Sequence, residues 1–183
     1  MKTIKQILLL LACIPLMLSC LGDEADYITF PLKADFTVWN HTDPTDTRCG
    51  DPPVFYVTME GNGKMSPLGK ITTVMTFCNN TQTGDYYDAD VVFVAVNGDE
   101  LYASIPVGKV IPNDEDNASY YRSKFNDKMI FIGGTGRFEG ASGEAMTNAY
   151  VHHQNDEWRK DGDEIWHTDF FSKGFLTLVK NGQ

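Results

Sequence analysis

Val91-Val92-Phe93-Val94-Ala95-Val96-Asn97-Gly98-Asp99-Glu100-Leu101-Tyr102-Ala103-Ser104-Ile105 reads as two extended runs joined by Asn97-Gly98. Asn-Gly between β-branched and aromatic runs is the strongest short-range hairpin signal, because both residues tolerate the positive φ of a tight primed turn. Working outward, strand-like runs recur at 27–30, 32–40, 54–62, 71–78, 129–132, 145–151 and 165–179, with turn residues between them. No window of comparable length carries a 3.6-residue apolar period. Repeated antiparallel hairpins in one small domain predict an all-β fold, a single antiparallel β-barrel of about eight strands.

Alternation selects the inward face. Leu32, Ala34, Phe36, Val38 and Asn40 share one side of their run, opposite Lys33, Asp35, Thr37 and Trp39. Leu101, Ala103, Ile105 and Val107 are one-sided in the same way. In the last run Trp166, Thr168, Phe170, Ser172, Gly174, Leu176 and Leu178 share a face, and His167, Asp169 and Lys173 lie opposite, read as outward. A barrel of this size has either a filled interior or room for one small ligand. The expected interior site is Asn40 as a lone amide in an apolar wall of Phe36, Val38, Trp166 and Phe170.

The chain begins with Lys2 and Lys5, an apolar run over 7–18 interrupted by Pro15, and Ser19 before Cys20. This is the three-part layout of a secretory signal, too short for a membrane-spanning helix of about 20 residues. Met17-Leu18-Ser19-Cys20 resembles a bacterial lipobox, which implies cleavage before Cys20 and acylation of its thiol. Two or three acyl chains hold a protein stably at a membrane surface. The expected organisation is a signal over 1–19, the lipidated Cys20 with an acidic tether over 20–26, and the barrel domain over 27–183. The protein is then exported and lipid-anchored in the cell envelope. The tether resembles the acidic stretch that sends some lipoproteins to the cell surface, and short acidic linkers are also merely soluble.

Lys2 and Lys5 leave with the signal, so 13 basic residues face 25 acidic ones and the mature net charge is −12. Such a field repels polyanions and argues against nucleic acid as a partner. Cys13 also leaves and Cys20 is consumed, leaving Cys49 and Cys78. If 54–62 and 69–78 form a hairpin, both thiols reach the same end, and an oxidising compartment permits a disulfide. The alternative is a pair of free thiols.

Ile130-Phe131-Ile132-Gly133-Gly134-Thr135-Gly136-Arg137-Phe138-Glu139-Gly140-Ala141-Ser142-Gly143-Glu144 resembles the signature of the allene oxide cyclase-like barrel proteins, and residues 166–174 resemble that family's closing strand. The resemblance covers about the last third of the chain and implies a lipocalin-like barrel. Its glycines suit a tight corner, with Phe138 folding back as a plug over one barrel end. A nucleotide loop must open a helix, and the alternating residues after Gly140 do not supply one. The plant enzymes of that family place a glutamate, and two residues on an asparagine, in the first barrel strand. Asn40 matches the second position, but Val38 stands at the first and offers no charge to a cyclisation.

No metal and no cofactor is expected. His152 and His153 point to opposite faces of a strand, and His167 with Asp169 reads best as a solvated polar face. The run 113–117 lacks the glycine and closing glutamate of a calcium loop. Tyr86, Tyr87, Tyr120, Tyr121, Trp158 and Trp166 either line a mouth or pack across strands. The function read from these residues is a non-catalytic binding or interaction module, holding a small apolar ligand or meeting another envelope protein. The alternative is an isomerase or cyclase, which requires Asn40 to converge with Glu139 or Glu144 in one buried space. A purely structural role in a surface complex is the third reading.

Overall fold

The computed structural model describes residues 26–153 and 166–180. The signal segment, Cys20, Trp158 and most of the tether therefore lie outside the described residues. The strands are β1 (Tyr27–Asn40), β2 (Val54–Ser66), β3 (Gly69–Asn80), β4 (Asp85–Ala95), β5 (Glu100–Lys109), β6 (Ile111–Pro112), β7 (Tyr121–Phe125), β8 (Lys128–Gly134), β9 (Ser142–Met146), β10 (Ala149–His152) and β11 (His167–Val179). All pairings are antiparallel, and β1 pairs with β11 from Tyr27↔Val179 to Trp39↔His167, which closes the sheet.

The eleven strands make eight staves. β5 pairs with β8 and β6 with β7, while β9 and β10 pair with β8 and β7 and, on the other side, with β11. Thus β5–β6, β7–β8 and β9–β10 are each one interrupted stave, and the fold is a closed antiparallel eight-stranded β-barrel. At the interruption of the last two, the Thr147 hydroxyl donates to the Asp127 carbonyl at 2.9 Å and accepts from the Asp127 amide at 3.1 Å. A side chain there replaces a ladder bond, so the register resumes unchanged beyond it. The two runs expected at 27–30 and 32–40 are one strand. Pro31 is accommodated because β2 joins β1 only from Lys33, leaving Pro31 with a partner on one side.

Most of the expected inward positions are inward, but Val107 is 72 % exposed, because the alternation of β5 reverses after Ile105 and Gly108 lies under the Tyr86 ring in its place. Leu32, Phe36 and Val38 on β1 are at most 2 % exposed, as are Leu101 and Ile105 on β5 and Phe170, Ser172 and Leu176 on β11. One end of the barrel is closed. There a single 3-10 turn, Gly136–Phe138, drives Phe138 into the interior at 1 % exposure, as a plug. Gly136 has φ +55°, and a Cβ on it would displace the Asp99 carboxylate, so the corner favours glycine. Arg137 extends from the turn to pair with Asp99 at 3.7 Å and to donate to the Leu68 carbonyl at 3.4 Å.

At the other end Cys49 and Cys78 form a disulfide with Cα atoms 5.6 Å apart. The β2–β3 hairpin brings them together, with Tyr56 opposite Cys78.

Candidate functional site

The open end holds a cavity of about 580 Å³. Its floor is a chain of touching rings. Phe170, stacked on Phe36 in the layer beneath with centroids 4.7 Å apart and planes 7° apart, meets the edge of Phe125 at 5.4 Å. Phe125 meets Tyr86 at 5.7 Å, and Tyr86 meets Phe77 at 5.5 Å. Below this layer Phe93, Met65, Leu101 and Leu176 fill the barrel to the Phe138 plug. Open and filled halves thus meet at one aromatic layer.

Tyr86 has a second task. It faces Gly108 across the β4–β5 pair, its ring occupies the space a side chain there would need, and its hydroxyl donates to Asp127 at 2.7 Å. It bridges the unpaired stretch between β5 and the β7–β8 stave. Burial, and then the Asp127 carboxylate, raise its pKa well above that of an ordinary tyrosine, so the phenol stays protonated.

The sequence-derived site residues divide. Asn40, Trp166 and Phe170 line the cavity, whereas Phe36 and Val38 lie one layer lower, buried beneath the floor. All three β1 side chains point inward, but at different heights along the barrel. Asn40 is also not a lone amide in an apolar wall. It is half-buried at the mouth, and its Oδ1 accepts from the Thr42 amide at 2.8 Å and from the Thr42 hydroxyl. These bonds make a turn that starts the disulfide loop. Asn40 does not converge with the two glutamates. Glu139 is exposed at the closed end, and Glu144 pairs with Lys128 at 2.9 Å on the outside of the barrel. The arrangement that the isomerase alternative required is absent from the described residues.

Three residues unmarked by the sequence reading contribute to the cavity. Asn79 lines the cavity, and its Oδ1 is buried with no hydrogen-bond partner among the described residues. Leaving such an acceptor unpaired costs about 1–3 kcal/mol, so a donor from a bound molecule would be favoured there. Phe77 and Phe125 supply apolar wall. Only Arg122, among the described lining residues, carries a charge.

Outside the barrel, His167 and Asp169 do not form a merely solvated face. Asp169 accepts from Thr37 at 2.6 Å and Tyr121 at 3.1 Å, and lies 2.8 Å from His152 Nε2, with His152 only 5 % exposed. His152 and His167 stack at 3.6 Å. Counting from the inward Ala149 and Val151 puts His152 on the outer face, and a register shift that skips Arg122 sets Tyr121 opposite it, which completes this cluster. His153 bonds separately to the Ala118 carbonyl at 2.9 Å. In the 113–117 run, Asp114 and Glu115 both pair with Lys124.

Burial alone would raise the Asp169 pKa, but the bonds from Thr37 and His152 outweigh it and hold the carboxyl below its usual range. A pKa lowered by folding adds stability that is present above the unfolded value and lost as pH falls through the folded one. The contribution of Asp169 is therefore expected to begin to fall at about pH 4 and to be lost at lower pH, as the folded-state carboxyl takes up its proton. Melting curves from pH 6 to pH 2.5 test this. Asp169→Asn should flatten the acid-side fall, and a slope identical to the parent's would remove Asp169 from the acid response.

Fold and site together define a closed, one-ended β-barrel whose open half holds an aromatic-floored cavity. No protein-family model matches the chain, and no curated protein matches it. A solved structure of a pterocarpan synthase dirigent protein is similar, with 16 % identity and a TM-score of 0.47, over 85 % of this chain and 93 % of that one.

Proposed function

We propose that this chain is a cell-envelope lipoprotein whose barrel is a non-catalytic binding module for a small, largely apolar molecule. The cavity carries this reading. Its volume of about 580 Å³ lies inside the range of about 300–1,000 Å³ usual for small-molecule sites, and apolar walls with few polar groups are the usual lining. Asn79 supplies the buried polar contact, which suits a molecule with at least one hydrogen-bond donor. The glycine corner and its Phe138 plug support a relation to the allene oxide cyclase-like barrel proteins, while Val38 in place of a glutamate speaks against their reaction.

The neutral fluorophore N-phenyl-1-naphthylamine tests the cavity. Saturable binding at one site per chain is expected. Ala89 is fully buried and lines the cavity, so Ala89→Phe places a ring in that space and is expected to weaken binding at least about tenfold. Equal affinity in parent and variant would remove the cavity as the binding site.

The lipid anchor has its own test. In cells fed labelled palmitate, the parent chain is expected to take up label and partition with membranes. Cys20→Ser should lose both properties. Label retained by Cys20→Ser would end the lipoprotein reading.

A further inference from the structure

We propose that the barrel mouth contains an anion-recognition site built on Arg122, and that the ligand class is an aromatic anion, a flat ring body carrying one carboxylate- or sulfonate-type group. This rests on the cavity-binding reading and adds the chemistry of the ligand's outer end. Arg122 is the one charged residue among the described lining residues, in a chain whose net charge is −10. The other two arginines among the described residues are spoken for, Arg48 by Asp46 at 2.6 Å and Arg137 by Asp99 at 3.7 Å. Arg122 has no carboxylate partner among the described residues. Its guanidinium lies over the Trp166 ring at 3.7 Å, and Nε reaches only the Ser123 hydroxyl, at 3.4 Å.

Stacking uses the flat face of a guanidinium and leaves the N–H donors at its edge, which is the geometry that recognises planar anions. Trp166 therefore fixes the plane of the fork without consuming it. The wider field of the protein repels anions, so recognition is local to this rim. The body of the ligand follows from the walls. Phe77, Tyr86, Phe125 and Phe170 form a broad floor at mid-barrel, which stops a molecule from running further along the axis. A short, wide, ring-lined space favours flat rings, which pack edge to face or offset against its aromatics.

Two fluorophores with one ring system separate the site's parts: N-phenyl-1-naphthylamine, which is neutral, and 1-anilinonaphthalene-8-sulfonate, which adds a sulfonate. The reading is the ratio of their dissociation constants in the full chain. Arg122→Gln is expected to shift that ratio about tenfold against the sulfonate, and Arg122→Lys, which keeps the charge, is expected to recover part of it. Ala89→Phe should weaken both probes together, which ties the sulfonate signal to the cavity and not to the outer surface. An unchanged ratio in a folded Arg122→Gln overturns the anion site while leaving the cavity reading intact. Failure of the parent to bind the neutral probe overturns the cavity reading itself.

Discussion

Phe170→Ala is expected to destabilise the barrel by about 3–5 kcal/mol, seen as a lower midpoint in urea with an unchanged slope. Phe170 is 1 % exposed on β11, stacks on Phe36, and meets the edge of Phe125. It belongs to both the packed core and the cavity floor. Truncation removes the ring's transfer free energy and its dispersion contacts, and the void opens upward into the existing cavity. The surrounding strands cannot collapse to fill it, because β1 and β10 flank β11 and are tied into the closed sheet. The cost therefore belongs at the upper part of the range. Phe170→Leu keeps most of the volume and should cost less than about 1.5 kcal/mol. A loss below about 1 kcal/mol for the alanine variant would show that the aromatic layer is not the joint between filled and open halves.

Removing the disulfide is the second large effect. Cys49 and Cys78 are 29 residues apart in sequence. A crosslink across that span restricts the unfolded chain by about 3–4 kcal/mol in the loop-entropy account. Each kcal/mol moves the melting temperature of a domain of this size by about 2–4 °C, so Cys49→Ser with Cys78→Ser should melt about 6–16 °C lower. The bridge ties to β3 the β1–β2 connection, which begins at the Asn40 and Thr42 turn on the cavity rim. Affinity for N-phenyl-1-naphthylamine should fall in the same variant, because the rim then has to be ordered on binding. A melting temperature within about 2 °C of the parent would mean that packing of the loop, and not its crosslink, holds this end.

Much of the fold is written in local patterns. Alternation over 32–40 gives the inward face of β1, and the Asn97-Gly98 turn joins β4 to β5. The plug at Phe138 follows from glycines that only a tight corner needs. The cavity is less legible, because the open height of a barrel depends on side chains from all eight staves meeting at one level. Phe36 and Asn40 obey the same two-residue period, yet Phe36 sits under the floor and Asn40 at the rim. Asn40 is spent on a turn with Thr42, a bond over two residues that alternation does not show. The cluster around His152 and Asp169 is hidden for a related reason, since alternation gives each residue's face but not which outward residues of β7, β10 and β11 meet at one height. Arg122 carries no sequence mark, because its meaning comes from Trp166, brought beside it from just before β11.

The direction of β1 sets how the molecule presents itself to its surroundings. Tyr27 lies at the plugged pole and Asn40 at the open one, and β11 returns to place Lys180 beside Asp26, with Nζ and Oδ2 3.0 Å apart. Both described ends of the chain thus leave from the pole farthest from the opening. If Cys20, six positions before Asp26 in the sequence, carries the proposed acyl anchor, the barrel would sit plug-down on the bilayer, its opening pointed away from the lipid. Cargo would then be exchanged with the aqueous side, or with a neighbour facing the membrane, and not drawn directly from the leaflet beneath.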